Sequence, residues 1–225
     1  MYVIVGGAGM MGRELAQALV KMNHTVAMID TDMTACQYVR EKIGVMAFEG
    51  SAVNTSILIE AGIRKADSII ATLREDALNL AMVTLSKHYG VGQIVARMKD
   101  SDFYEPYLLA GATHVVSTNQ LAINRIVNAI EYPQVDAMMH FEQGQVEVLK
   151  LSIPNECYIV GQTLAQLAQN PRFPKGTLII GYQAHPNEDL IIPNGKTILE
   201  QGSTILVVTK PDLVKDVISF LGMCR

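Results

Sequence analysis

The feature that most constrains this chain is its opening stretch, in which a strand, a glycine loop, a helix and a second strand follow in order. Residues 2–5 are β-branched or aromatic and uncharged, which is typical of a strand buried on both faces of a parallel sheet. The pattern G-x-G-x-x-G lies within 6–12, and residues 13–22 continue with the apolar periodicity of a helix. Residues 24–30 are a second strand-like run that ends in Asp30. This order predicts a binding site for a dinucleotide or a nucleotide.

Each glycine of this loop is needed for a different physical reason. Gly7 permits the tight turn out of the strand, Gly9 has no Cβ and lets a phosphate approach the backbone, and Gly12 allows the helix to pack closely on the strand. The start of the helix offers free N–H groups and the positive end of its dipole to an anion. Asp30 lies eighteen residues after Gly12, where a carboxylate can accept hydrogen bonds from ribose hydroxyls. The alternative is a loop of the same shape that binds nothing.

The alternation of strand and helix continues over the first half of the chain. Apolar runs that predict strands alternate with segments of helical periodicity, and glycine follows several of these segments. The six predicted strands are 2–5, 24–30, 45–48, 68–72, 94–97 and 114–117. Six strands with intervening helices predict an α/β fold, a Rossmann-like doubly wound parallel sheet. Right-handed crossovers would bring the strand ends at Gly7, Asp30, Gly50, Thr72 and Arg97 to one edge.

Beyond the sixth strand the pattern changes. Residues 119–130 form an amphipathic helix that stops before Pro133. Short strand-like runs follow, with one short predicted helix at 164–169, and these runs are 146–153, 178–182, 190–192 and 204–208. Together they predict a small α+β C-terminal domain. The predicted boundaries are 1–118 for the nucleotide-binding domain, 119–139 for a connector and 140–225 for the C-terminal domain.

The helix at 119–130 also predicts an assembly of copies. Its apolar face consists of Ile123, Ile126, Val127 and Ile130. No part of the sheet is expected to remain for this face to cover once the sixth strand is placed. We therefore expect it to pack against a second copy of the chain, as a dimerisation helix. The alternative is that the face packs on its own domain.

Composition excludes several classes of function. The formal net charge is −4, so the chain lacks the basic footprint of a nucleic-acid-binding protein. It contains no run of about 18 apolar residues that could span a membrane. Its first strand starts at once, which leaves no room for a signal peptide. Its three cysteines have no metal-ligand spacing, so no metal site is predicted. These observations favour a cytoplasmic location.

Taken together, the residues resemble those of a known family. The matching stretches are 7–16, 29–32, 60–63 with 66–67, 71–72 with 75–76 and Asn79, 96–97, 111–112 with 115–117, 161–164, and 192–195 with Gly202. The first 130 residues resemble the RCK, or KTN, domain of the TrkA-type nucleotide-binding regulators of potassium channels and transporters. The last 80 residues resemble the RCK C-terminal domain.

The resemblance implies a function, ligands and partners. It implies a cytoplasmic, nucleotide-sensing regulatory subunit that lies at the inner face of the cell membrane and gates a potassium channel or transporter. The implied ligand is NAD(H) or an adenine nucleotide (ATP, ADP or AMP), and the implied partner is a membrane potassium-translocating subunit of the TrkH or KtrB type. A homo-oligomer is also implied, as a dimer and as an octameric ring with the pore, and cyclic di-AMP is a candidate effector of the C-terminal domain.

The residues expected to bind the nucleotide come from the motif and the resemblance together. They are Gly7, Ala8, Gly9, Met10, Met11, Gly12, Asp30, Thr31, Asp32, Gly50, Ser51, Ala52, Thr72, Leu73, Arg74, Asn79 and Arg97. Four of them have an alternative interpretation. Asp30 is either a ribose ligand or a helix cap. Asp32 is either a ribose ligand or the N-cap of the helix predicted at 34–43. Arg97 contacts either a phosphate or a surface acid, and Asn79, inside an apolar helix, has either the ligand or the backbone as its partner.

Three positions depart from the family's pattern. Met10 stands where many relatives carry an arginine that is associated with phosphate recognition, so no strong preference for ATP over ADP is implied. Gly-Asp-Ala-Thr of the family is replaced at 50–53, where Ser51 can bond an adenine only through its hydroxyl. Relatives often have Pro-Glu after the sixth strand, and the glutamate can help to bind a divalent ion between subunits. Thr118-Asn119 stands there in this chain, so the resemblance implies no metal.

A different class of function is a small NAD-dependent oxidoreductase. Such an enzyme needs an acid, a base or a nucleophile held beside the nicotinamide. No His, Lys or Tyr pair stands at a strand end opposite the glycine loop, and the second domain brings no acid–base cluster. We therefore expect a regulator without catalytic residues.

Overall fold

A computed structural model describes residues 1–141, 145–154 and 157–222 of the chain. The chain divides into two compact units, Met1–Ala122 and Ile123–Arg225, which are called the first and the second unit below. Each unit has its own sheet and its own hydrophobic core.

The first unit is built on a six-stranded parallel sheet in the order β3-β2-β1-β4-β5-β6. The strands are β1 (Tyr2–Gly6), β2 (Thr25–Asp30), β3 (Met46–Glu49), β4 (Ser68–Ala71), β5 (Gln93–Met98) and β6 (His114–Ser117). The helices are α1 (Met10–Lys21), α2 (Met33–Tyr38), α3 (Thr55–Glu60), α4 (Asp76–His88) and α5 (Tyr104–Ala110), and α6 (Thr118–Glu131) starts in this unit and continues into the second. This order confirms the predicted doubly wound sheet.

Alternating side chains give the sheet two buried faces. Val3 and Val5 of β1 pack in a core with residues of α1 and α2. Ile4 points to the opposite face, where it shares a core with Leu58 of α3 and Met82 of α4. Because successive residues of a strand face opposite sides, an apolar run such as 2–5 fits only a strand that is covered on both faces.

The sheet face on which α1 packs is only partly covered. Over β4, β5 and β6 it forms an apolar groove of about 410 Å³, lined by residues that include Leu15 of α1, Ile70, Val95 and Val116. Val116 is 39% exposed. The expectation that no sheet remains to be covered after the sixth strand is therefore wrong, because part of this face is open in the single chain.

The helix predicted at 34–43 is divided in the structure. α2 ends at Tyr38 and the chain continues as a π-helix over Val39–Ile43. Gly44 ends this turn with a φ of 78°, and its N–H donates to the carbonyl of Val39, five residues back. The extra residue per turn displaces the end of the segment relative to a regular α-helix.

The second unit contains a four-stranded antiparallel sheet in the order β7-β8-β10-β9. Its strands are β7 (Val135–Phe141), β8 (Val146–Ser152), β9 (Leu178–Gln183) and β10 (Thr204–Thr209), and its further helices are α7 (Leu164–Gln169) and α8 (Val214–Gly222). Leu149, Leu151, Ile205 and Val207 project from the two central strands into a core that includes Val217 of α8. The predicted small α+β domain is thereby confirmed.

Three details of the second unit differ from the prediction. β7 lies largely inside the segment predicted as a connector. It was not predicted as a strand, because a bulge between Val135 and Ala137 breaks its alternation. The run at 190–192 contributes only an isolated bridge from Ile191 to Tyr182. α8 has no counterpart among the predicted elements. Among the described residues, no helix is both long and apolar enough to cross a membrane.

Candidate functional site

A cleft of about 670 Å³ opens at the carboxyl edge of the parallel sheet in the first unit. Thirteen of the seventeen predicted residues line it, and these are Gly7, Ala8, Gly9, Asp30, Thr31, Asp32, Gly50, Ser51, Ala52, Thr72, Leu73, Arg74 and Arg97. Residues from the ends of β1, β2, β3, β4 and β5 thus converge as the topology predicts. Met10, Met11, Gly12 and Asn79 are outside the lining.

The glycine loop has two structurally required glycines and one open position. Gly7 has a φ of 103°, and a Cβ there would lie 3.0 Å from the carbonyl oxygen of Thr72. A Cβ on Gly12 would lie 1.9 Å from the carbonyl oxygen of Gly7. A Cβ on Gly9 would meet no atom within 4 Å. The chain itself therefore leaves space at Gly9, where a bound anion could approach the backbone.

The helix that follows presents its N-terminus at this space. α1 begins at Met10, after Gly9 as an N-cap without a side chain. The first N–H groups of a helix lack intrahelical acceptors and lie at the positive end of the dipole. The Met10 side chain is 80% exposed, outside the cleft lining. Met10, Met11 and Gly12 were predicted as site residues. They are outside the cleft lining, so the groups they can offer a ligand are main-chain N–H groups at the start of α1.

Asp30 is held in one orientation by the main chain around it. Its Oδ2 accepts a hydrogen bond from the N–H of Ala8 at 2.6 Å, and its Oδ1 accepts one from the N–H of Asp32 at 2.9 Å. The carboxylate therefore links the glycine loop to the end of β2. Each oxygen retains acceptor capacity for a further donor, such as a ribose hydroxyl.

Asp32 caps the helix that follows it. Its Oδ1 accepts hydrogen bonds from the N–H groups of Thr34 at 2.8 Å and Ala35 at 3.3 Å. The N-cap alternative is thus confirmed. The same residue also lines the cleft.

Asn79 is a positioning residue rather than part of the cleft lining. It is 1% exposed, its Oδ1 accepts from the N–H of Leu73 at 2.7 Å, and its Nδ2 donates to the carbonyls of Leu73 and Arg97 at 3.2 Å each. The backbone alternative is confirmed, and Asn79, which was predicted to bind the nucleotide, lies outside the cleft lining. The side chain joins the ends of β4 and β5.

Two residues that the sequence did not single out hold the neighbouring turn. The carboxylate of Asp76 accepts hydrogen bonds from the N–H groups of Lys99 and Asp100, each at 3.1 Å. The hydroxyl of Tyr107 donates to Asp76 Oδ1 at 2.9 Å. Burial first, and then the hydrogen bond with Asp76, raise the pKa of Tyr107 far above its usual value. The phenol therefore remains a donor at physiological pH.

The cleft is lined by four cations. Arg13, Arg74, Arg97 and Lys99 all contribute to it, together with Asp30 and Asp32. Arg97 Nε donates to Thr118 Oγ1 at 3.3 Å, and Lys99 Nζ donates to the carbonyl of Arg74. The excess of positive charge favours an anionic ligand.

Sequence reasoning missed four members of the lining, Arg13, Ala35, Leu78 and Lys99. Lys99 lies two residues beyond Arg97 and so on the same side of an extended chain, which is a signal that could have identified it. Arg13 is in the first turns of α1, four residues after Gly9. Among the residues that the structure describes, no group of three His, Cys, Asp or Glu side chains could hold a metal ion.

Comparison with known sequences identifies two domains. The family model of the TrkA-N domain matches residues 3–118, and that of the TrkA-C domain matches residues 148–222. A Trk system potassium uptake protein TrkA homolog of Methanothermobacter thermautotrophicus is 28% identical over 216 residues, which cover 96% of this chain and 97% of that protein.

Solved structures share the fold. The GsuK channel bound to NAD superposes with a TM-score of 0.67 at 21% identity, over 100% of this chain and 40% of that chain. GsuK bound to ADP superposes with a TM-score of 0.52 at 24% identity, over 59% of this chain and 34% of that chain. This chain thus corresponds to less than half of the GsuK chains. Since the TrkA-N match covers more than half of its residues and the TrkA-C match covers much of the remainder, the chain belongs to the TrkA family.

Proposed function

We propose that this chain is a nucleotide-sensing regulatory subunit of a potassium channel or transporter. The observation that carries the proposal is the cleft, where the open position at Gly9, the start of α1 and the fixed carboxylate of Asp30 lie together. This is the arrangement in which a phosphate and a ribose are bound at the edge of a doubly wound sheet. The TrkA homologues, named as potassium uptake proteins, support the physiological role.

The proposed ligands are NAD(H), ATP, ADP and AMP. NAD and ADP are the ligands of the two GsuK structures that share this fold. A 2′-phosphate would lie near Asp30 in a partly desolvated site, where two negative groups repel each other. NADPH is therefore the dinucleotide that should bind most weakly.

Regulation requires only that the nucleotide binds two states of the protein unequally. A coupling free energy of about 1–3 kcal/mol suffices, and the differential contacts of one nucleotide can supply it. The competing function, a small NAD-dependent oxidoreductase, needs an acid or base beside the nicotinamide. Within the part of the chain that the structure describes, the lining of the cleft includes Lys99 and three arginines, but no His, Tyr or Cys. Sustained turnover at the nicotinamide absorbance band with any carbonyl or alcohol would favour the enzyme.

We also propose a cytoplasmic location at the inner face of the membrane, with a pore subunit of the TrkH or KtrB type as partner. The assembly would be a dimer through α6, and an octameric ring with the pore. Ile126 and Ile130 of α6 are 61% and 73% exposed in the single chain. Charging this face by Ile126→Glu should dissociate the dimer, since it leaves a charge in an apolar contact. Light scattering that gives a monomer for the unmodified protein at micromolar concentration would contradict the dimer.

The most specific part of this proposal is that cyclic di-AMP binds to the C-terminal domain. The second unit has a cavity of about 980 Å³, lined by residues that include Tyr158, Phe173, Phe220, Arg172 and Lys175. Aromatic rings can stack with bases and cations can pair with phosphates, which suits such a ligand. Calorimetry tests this part alone: cyclic di-AMP should bind to the unmodified protein and more weakly to its Arg172→Gln variant, and no binding to either would contradict it.

Potassium uptake by cells that carry the cognate pore tests the function. Deletion of this protein should alter uptake, and Gly9→Asp should reproduce the loss of nucleotide, because it puts a carboxylate where the phosphate should lie. Gly9→Asn has the same size without the charge and obstructs the phosphate by its volume alone, so a larger effect of Gly9→Asp measures the charge. The regulatory function is wrong if uptake is unchanged by deletion and by Gly9→Asp at normal protein levels.

A further inference from the structure

Arg13 is a cleft residue to which the proposed function gives no role. Its Nε donates to the carbonyl oxygen of Ala8 at 2.6 Å. Its Cζ lies 4.4 Å from the centre of the Tyr38 ring. Arg13 lines the cleft and Tyr38 does not, so Arg13 is the member of this stacked pair that a ligand in the cleft can reach.

These two contacts fix a side chain that is otherwise costly to immobilise. A free arginine loses about 2 kcal/mol of rotamer entropy when it is ordered, and this cost weakens any ligand that has to order it. Here Ala8 and Tyr38 already restrict the guanidinium. Tyr38 is the last residue of α2 before the π-helix, and such π segments are frequent at functional sites.

Arg13 lies at the side of the cleft that holds the ribose-binding carboxylate. Its Nε donates to the carbonyl of Ala8, and the N–H of the same residue donates to Asp30 Oδ2, so Arg13 and Asp30 are joined through Ala8. Of the other cations, Arg97 lies near the end of β5 and Lys99 directly follows this strand. β5 is three places from β2 in the sheet order, which is roughly 14 Å at about 4.8 Å per strand.

We propose that the Arg13 guanidinium is the surface on which the adenine ring stacks, so that Tyr38, Arg13 and adenine form three successive layers. A guanidinium is planar and weakly hydrated, and it stacks well on aromatic faces. Attraction between the cation and the ring adds to this contact. The inference rests on the proposed function, because it specifies how the same cleft holds an adenosine ligand.

The test uses four probes, adenosine, AMP, ADP and NADH, titrated by calorimetry into the protein and its Arg13→Met and Arg13→Lys variants. Adenosine carries no charge and therefore separates a contact with the base from a contact with phosphate. Arg13→Met should weaken all four probes by the same factor, about tenfold. Arg13→Lys should restore little, because it returns the charge without the plane. Tyr38→Leu, which leaves Arg13 in place, should cause a smaller loss with the same uniform pattern.

Other outcomes overturn the inference. If Arg13→Met leaves adenosine unchanged and weakens only phosphorylated probes, or if Arg13→Lys rescues binding, Arg13 is a phosphate contact. NADPH is titrated as a fifth ligand for one further outcome: if Arg13→Met weakens NADPH more than NADH, Arg13 holds a 2′-phosphate. If all four probes bind Arg13→Met as they bind the unmodified protein, Arg13 contacts no ligand and the proposed function still stands. If the unmodified protein binds none of the probes, the proposed function fails as well.

Discussion

The two ends of the cleft are built in different ways. The end beside Asp30 comes from one continuous stretch, Gly7 to Asp32, and is held mainly by main-chain donors such as the N–H of Ala8. The end beside Arg97 comes from segments far apart in sequence, which the buried side chains of Asn79 and Asp76 hold together. Local sequence thus builds the ribose end, which includes the glycine loop and its contact with a phosphate. Tertiary contacts build the end where Arg97 and Lys99 supply further positive charge for phosphates, which is called the phosphate end below.

The largest expected effect is at the glycine loop, where Gly12→Ala would place a Cβ 1.9 Å from the carbonyl oxygen of Gly7. That atom belongs to the main chain and cannot move without breaking the turn. We expect a loss of about 3 kcal/mol in the free energy of unfolding, and no measurable binding of any adenine nucleotide. Chemical denaturation and calorimetry measure the two effects. Gly9→Ser is the control for stability alone, because a Cβ at that position meets no atom of the chain; an equal loss of stability in both variants would contradict the account.

This contrast explains which parts of the site could be predicted. The sequence from β1 to Asp30 carries its own spacing, so the turn, the helix start and the carboxylate are local signals. The role of Asn79 depends on where Leu73 and Arg97 lie in space, and no spacing within α4 specifies it. The place of Arg13 beside Tyr38 likewise depends on how α2 packs near α1. In the second unit, β7 was not predicted for a different reason. The bulge between Val135 and Ala137 interrupts the two-residue period by which a strand is recognised in a sequence.

The next effect is at the ribose end, where Asp30→Asn keeps the shape and removes the charge. An amide presents only one acceptor oxygen, so one of the two main-chain hydrogen bonds is lost. We expect adenosine, AMP, ADP and NADH to bind about 10- to 100-fold more weakly, as for the loss of hydrogen bonds to a charged group. The ratio of NADPH to NADH affinity should rise, because the repulsion of the 2′-phosphate is removed. A variant that binds adenosine normally would place the ribose elsewhere.

The corresponding change at the phosphate end is Asn79→Ala. It leaves the N–H of Leu73 and the carbonyl of Arg97 without this partner in a buried place. We expect the free energy of unfolding to fall by about 1–3 kcal/mol. AMP, ADP and NADH should bind more weakly, and adenosine should be nearly unaffected. An equal loss for adenosine would mean that the two ends are not independent.

The smallest expected effect concerns Tyr107 behind the phosphate end. Tyr107→Phe removes the hydrogen bond to Asp76 and should cost about 1 kcal/mol of stability at neutral pH. The pKa of Tyr107 is raised in the folded protein, so its contribution is fully present below the unfolded pKa of about 10 and is lost as pH rises above that value. The difference between the two proteins in denaturant titrations should therefore shrink above pH 10. A difference that grows with pH would contradict this assignment.

The central claim is that this cleft binds an adenine nucleotide, and direct titration tests it most simply. Calorimetry of AMP, ADP, NADH and NADPH with the unmodified protein should give saturable binding of one ligand per chain for the first three. NADPH should be the weaker of the two dinucleotides. Gly9→Asp should weaken binding more than Gly9→Asn, because it adds a charge to the steric obstruction. Absence of binding by all four ligands, or NADPH as the tightest of them, would contradict the account.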